Sequence, residues 1–347
     1  LSYITAALYQ FDSSMAFQQL KTVLATQIVV LDGAMGTMIQ QYQLDEADYR
    51  GAQFKDWATA VKGNHDLLCI TQPHLITDIH LQYLEAGAQI ITTNTFNAQS
   101  ICMAAYGMED LVHELNVAAV QCAKNAIAEY QHLHTDRTNT FFIAGAIGPT
   151  NHMLSIALDV DDPRYRAISF DDVVAAYTAQ IHALVQGGVD MLLLETVFDP
   201  LNAQAALTAC LSYFEQWQIA LPIMISATLT DVSGQLLTGA TLDAFYQLAM
   251  TANPISIGFN CAWGTLHMSP HIEELSQLAA TFVSAYPNAG LPNAMGAYDE
   301  TPQMVGAVIK EWAENGWVNI VGGCCGTTPE HIKAIAEAVK DLKPRMF

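Results

Sequence analysis

Val318-Asn319-Ile320-Val321-Gly322-Gly323-Cys324-Cys325-Gly326-Thr327-Thr328-Pro329 passes from an apolar run, through a glycine–cysteine cluster, into a proline-led helix start. The run has the continuity of a short strand covered on both faces. Thr328-Pro329 sets proline at a first helical position. The stretch is one strand, one loop and one helix, and the loop holds two adjacent thiols. Outward from it, the same unit recurs along the chain. Strands are expected at 28–32, 89–93, 141–147, 189–195, 222–228, 255–260, 281–286 and 318–323. Helices are expected at 75–86, 111–130, 171–186, 202–217, 242–251, 270–278, 302–315 and 329–342. Ser169 with Asp172 reads as a capping pair, and Ser269-Pro270 and Thr301-Pro302 repeat the proline start. Eight strands, each followed by a helix, predict an α/β protein, a single (β/α)8 TIM barrel. An open doubly wound sheet is the alternative, but no dinucleotide fingerprint accompanies the units. Extra length sits at 38–73 after the first strand and at 149–170 after the third. Both lie on the face where barrel enzymes build active sites.

Thirteen basic against thirty-four acidic residues give a formal charge of −21, which argues against a nucleic-acid partner. No uninterrupted apolar run reaches the roughly 18 residues of a membrane span. Seven cysteines, odd in number and widely spaced, do not form a secreted disulfide framework. A reduced, cytoplasmic setting fits them better. The first residues lack a basic start and a clear cleavage site, and Met15 can serve as a natural start. Residues 1–15 are therefore expected to be a leader, with the barrel domain at 16–347.

The chemistry gathers at strand ends. Cys261 follows the sixth strand in Gly258-Phe259-Asn260-Cys261, and Cys324 and Cys325 follow the eighth. Adjacent residues on a regular strand point to opposite faces, so the glycines at 322, 323 and 326 are expected to turn the backbone until both thiols converge. Three thiols at one barrel mouth suit a thiophilic metal with one open position, the arrangement of catalytic zinc. A vicinal disulfide and three small buried hydrophobes are the competing readings. Asp32 closes the first strand in Asp32-Gly33-Ala34-Met35-Gly36-Thr37, and Glu195 closes the fourth. A carboxylate at the end of an apolar strand needs a partner, either neighbouring amides or a substrate. Gly33 and Gly36 leave amides free for a carboxylate ligand. Acids for an ammonium, amides for a carboxylate and zinc for a sulfur together describe a site for a thiol amino acid. Asn94-Thr95-Phe96-Asn97 follows the second strand and either lines that pocket or merely turns the chain.

The segments around Asp32–Thr37, Thr93–Asn97, Gly145-Ala146-Ile147-Gly148-Pro149-Thr150, Gly258–Cys261 and Gly322–Gly326 resemble the homocysteine S-methyltransferase family. Within it, Asn293-Ala294-Met295-Gly296-Ala297-Tyr298-Asp299 and the insert around 45–66 resemble the N-terminal homocysteine-binding module of cobalamin-dependent methionine synthase. The resemblance covers about 16–347 and implies a (β/α)8 barrel with zinc on Cys261, Cys324 and Cys325. It implies that Asp32 and Glu195 meet the amino group of L-homocysteine, and that amides near Gly33 and Ala34 meet its carboxylate. Ala34 stands where many relatives have a second glycine, and Thr92 replaces an acid common in the synthases. The activity implied is zinc-dependent methyl transfer to homocysteine, giving methionine. Methylcobalamin supplied by another module would be the donor, with cobalamin-binding and folate-binding modules as partners in cis or trans. The alternatives are a stand-alone methyltransferase using S-methylmethionine, S-adenosylmethionine or betaine, and a homocysteine- and zinc-binding module that is catalytically incomplete alone. The stop at Lys343-Pro344-Arg345 is expected of one module of a longer enzyme, or of a relative that works with separate partners.

Overall fold

Eight short parallel strands form one sheet in the computed structural model, which describes residues 15–136, 139–156, 166–230, 234–293 and 298–347. They are β1 (Val29–Val30), β2 (Ile90–Thr92), β3 (Phe142–Ile147), β4 (Met191–Val197), β5 (Ile223–Ala227), β6 (Ser256–Asn260), β7 (Phe282–Tyr286) and β8 (Ile320–Val321). From β2 to β8 each pairs with its sequence neighbours, and β1 pairs with β8. A parallel bridge from Leu31 to Ile90 joins β1 to β2 and closes the ring. The backbone bonds Gln89 N to Val30 O (2.7 Å) and Asp32 N to Ile90 O (3.0 Å) complete that seam. The outer helices are α1 (Pro73–Glu85), α2 (Val112–Leu133), α3 (Phe170–Gly187), α4 (Pro200–Trp217), α5 (Leu242–Met250), α6 (Thr265–Leu278), α7 (Pro302–Glu314) and α8 (Pro329–Val339). This is a single (β/α)8 barrel.

The strands read as unbroken apolar runs because both of their faces are buried. Val29, Leu31, Ile90, Phe142, Met191, Leu193, Met224 and Ile320 pack together inside the barrel. Their alternates Val30, Ile91, Ile143, Leu192, Ile225, Ile257, Val283 and Val321 pack outward with the helices. Ser169 and Asp172 form the expected reciprocal cap on α3. The expectation for α6 is corrected. It begins at Thr265, and Pro270 lies inside it rather than at its first position. The start is moved upstream because Glu300 accepts from both the Thr265 amide (3.3 Å) and its hydroxyl (2.9 Å). Ser269 is left to accept from Trp312 Nε1 at 2.8 Å.

A helix absent from the sequence reading spans Met15–Thr26. Its Phe17, Leu20 and Leu24 are buried in the same cluster as the barrel interior, so it seals the end of the barrel opposite the strand C-termini. Apart from Met15, the expected leader lies outside the described residues, as do residues 294–297 of the Asn293–Asp299 motif. Among the described residues no helix is long and apolar enough to cross a membrane.

Candidate active site

At the strand C-termini a cavity of about 270 Å³ opens between β1, β2, β4, β6, β7 and β8. Strand alternation builds its floor. Thr92, Glu195 and Tyr286 line it from the inward phase of their strands, with Ser226 and Asn260 fully buried on the same phase. Inside that ring space is tight. A Cβ on Gly258 would collide with the backbone oxygen of Ser284 on the neighbouring strand, so only glycine fits there.

The three thiols meet at one edge of the cavity. Their Sγ atoms all lie within 4.8 Å of one another, and Cys261 and Cys325 are 3.8 Å apart. Sulfurs bound tetrahedrally at about 2.3 Å from one zinc sit roughly 3.8 Å apart, so the donor set fits zinc. The glycines contribute in two ways. Gly326 takes φ +81° and turns the chain directly after the pair. Gly322 and Gly323, expected to turn as well, have ordinary φ; they are small because Leu31 and Thr327 press against them. Cys261 itself takes φ +61° and Ala262 φ +56°, a strained left-handed pair that aims the thiol at the cluster. Hydrogen bonds from the Cys261 and Cys324 thiols hold Cys325 well below the ordinary thiol range, so the cluster already carries thiolate character. The other four cysteines, Cys69, Cys102, Cys122 and Cys210, are free and buried.

The two strand-end acids line the same cavity as the thiols. Asp32 is 3% exposed and accepts from the Thr92 amide (2.7 Å) and hydroxyl (3.1 Å). Burial raises its pKa to about 8, against the opposing pull of those bonds. Glu195 sits at an irregularity of β4 between Leu194 and Val197, a bulge that re-aims a side chain into the mouth. Burial, then Asp32 and Cys325, raise it to about 8. No salt bridge reaches either acid among the described residues. Gly33 and Ala34 both line the cavity. Ala34 has φ −69°, which its methyl tolerates, but its amide already donates to Thr327 Oγ1 at 3.2 Å. The Gly33 amide has no hydrogen-bond partner among the described residues.

A family model described as homocysteine S-methyltransferase matches residues 29–339, nearly the whole chain. The chain belongs to the homocysteine S-methyltransferase family. The match runs from the first residue of β1 to the last residue of α8, so it spans the complete barrel. Among solved structures, the homocysteine methyltransferase MmuM from Escherichia coli is similar in fold. Its oxidized form gives a TM-score of 0.72 at 22% identity, over 93% of this chain and 99% of that one. Its metallated form gives 0.69 at 24% identity over the same shares.

In this homocysteine S-methyltransferase, several site residues escaped sequence reasoning. Thr92, noted only as a replacement, supplies the two hydrogen bonds that orient Asp32. Asn260 is the hub of the thiol edge. Its Oδ1 accepts from the Thr196 amide (3.0 Å) and the Ser226 hydroxyl (2.7 Å), and its Nδ2 donates to Thr196 Oγ1 (2.8 Å) and towards Cys324 Sγ (3.8 Å). The insert after β1 contributes His65 and Asp66 to the cavity wall. Asn94, Phe96 and Asn97 line it too, as the second strand's loop suggested. A buried polar residue at the end of an apolar strand, as in Phe259-Asn260, was the one available signal for this set.

Proposed function

We propose that this protein carries out zinc-dependent methyl transfer to L-homocysteine, forming L-methionine, with Cys261, Cys324 and Cys325 as zinc ligands. The observation that carries the reading is the pairing of the three-thiol cluster with two buried acids that lack any cation, all in one cavity. Cys261, Cys324 and Cys325 would hold the zinc, which when bound would acidify the incoming thiol so that its sulfur stays electron-rich at neutral pH. Asp32 and Glu195 take the substrate ammonium, which provides the missing positive charge. The Gly33–Ala34 turn faces the carboxylate, principally through the free Gly33 amide. Asn260 fixes Cys324 and the β4 bulge in one geometry, keeping thiol edge and ammonium site at a constant separation. The thiol proton leaves to solvent, a sulfur lone pair forms the new bond to the methyl carbon, and the donor keeps the electron pair of the bond that breaks.

The donor in this proposal is methylcobalamin, presented by another module together with a folate-binding module. Its support is the resemblance of the 45–66 insert and of the Asn293–Asp299 segment to the homocysteine-binding module of methionine synthase. Cytoplasmic residence is proposed from the free thiols. Zinc X-ray absorption on protein of measured metal content, with and without L-homocysteine, tests the core of the reading. One added sulfur neighbour on homocysteine addition is expected. An unchanged shell, or C261A, C324A and C325A variants that keep both zinc and methyl transfer, would overturn it. Parallel assays with methylcobalamin, S-methylmethionine, S-adenosylmethionine and betaine identify the donor, and turnover with only one of the last three would exclude methylcobalamin.

A further inference from the structure

No lysine or arginine lines the cavity among the described residues, yet a homocysteine zwitterion brings a carboxylate into it. Burying that carboxylate without donors is costly. Of the amides in the Gly33–Gly36 turn, that of Ala34 is spent on Thr327, while Gly33 and the first residues of the Met35–Gln41 helix keep theirs. A side-chain donor stands beside them on the insert. His65 lines the same cavity and packs against the Gly33–Gly36 turn, its Cδ2 3.9 Å from where a Cβ on Gly36 would be. Its backbone is pinned by Asn94 Nδ2, which donates to His65 O at 2.8 Å. Its ring is pinned by Tyr49, whose hydroxyl lies 2.8 Å from Nδ1. A Tyr49 hydroxyl that donates to Nδ1 leaves the N–H of the neutral ring on Nε2. Nε2 is bonded to the Cδ2 that meets Gly36, on a ring that is half-buried at the cavity wall.

We propose that His65 is a substrate-binding residue that donates from Nε2–H to the carboxylate of the amino-acid substrate, with Tyr49 as its positioning residue. This rests on the homocysteine reading above and adds the residue that selects an α-amino acid over a simple aminothiol. Asp66, its neighbour, accepts from the Asn97 amide through Oδ1 at 3.0 Å and makes no hydrogen bond to the His65 ring among the described residues.

Isothermal calorimetry of the zinc-loaded protein with L-homocysteine and with homocysteamine, the same molecule without its carboxylate, tests the assignment. A hydrogen bond to a charged group is expected to appear as a loss of about tenfold or more in homocysteine affinity for H65A. Homocysteamine affinity should stay at the wild-type value. H65Q, which keeps an N–H donor near the Nε2 position, should recover most of the loss, and Y49F should weaken homocysteine alone by a smaller factor. Unchanged homocysteine binding in H65A, or equal losses for both ligands, would overturn the proposal. Zinc content and thermal midpoint measured on each variant separate a folding failure from lost recognition. If the wild type binds homocysteamine and homocysteine equally, the carboxylate contact fails while the thiol reading stands. If it binds neither, both fall.

Discussion

Asp32 and Glu195, each raised to about 8 chiefly by burial, hold their protons at neutral pH in the ligand-free protein, and in the proposed reading they give them up to an arriving ammonium. Homocysteine binding should therefore expel protons from these acids as well as from its own thiol. Calorimetry in buffers of different ionisation enthalpy should show D32N releasing fewer protons than wild type; equal release would remove Asp32 from the ammonium site. Affinity should climb as pH rises from about 6 to 8, by at most tenfold per unit per group. T92V strips a hydrogen bond from the Asp32 carboxylate, so its profile should move to higher pH. The same shift has a sign for stability. The unfolded chain sheds the Asp32 proton near 3.8, whereas the folded protein keeps it to about 8. The stabilisation is full below the lower value, fades between the two, and is lost above the upper one. Ligand-free D32N should then match or exceed wild type in thermal midpoint above pH 8, while binding homocysteine less well. The acids and thiols were legible because charge and sulfur stand out at the ends of apolar runs. Thr92 and His65 were not, since their roles depend on which strand lies beside β1 and on how a long insert folds back.

All eight strands and the eight outer helices were legible as elements, because a parallel strand buried on both faces leaves a continuous apolar signature. Boundaries were less so. Ser269-Pro270 looked like a helix start only because the true cap, Glu300, comes from 35 residues downstream. That long-range cap joins the chain after Cys261 to the loop after β7, and His331 Nε2 holds the Glu300 carbonyl from α8 at 2.9 Å. Substituting Glu300 by alanine should cost about 1–2 kcal/mol in urea unfolding, the range of a lost helix cap. Because α6 begins four residues after Cys261, zinc affinity should weaken as well. A variant that unfolds earlier but binds zinc as wild type would uncouple the cap from the thiol edge.

At the scale of the molecule, counting βα units was enough to read the closed barrel, whereas the helix at Met15–Thr26, nearly all of it inside the expected barrel domain, was not read as a helix. Its seat is invisible in sequence because Phe17, Leu20 and Leu24 make a short stripe whose partners come from seven different strands. Leu24 is fully buried, so L24A should destabilise the protein by about 2–5 kcal/mol, with homocysteine affinity unchanged. A loss of affinity would mean that the plug and the site are coupled. That plug also governs traffic. With one end sealed and the interior filled, the cavity is a cul-de-sac, and everything that enters must leave by the same door. On the proposed function, with the substrate ammonium at Glu195, homocysteine has to be seated before the methyl donor stands in the doorway, and methionine can go only after the spent donor has moved aside. Initial-rate kinetics should accordingly be ordered, with methionine the last product out and competing with homocysteine for the empty enzyme.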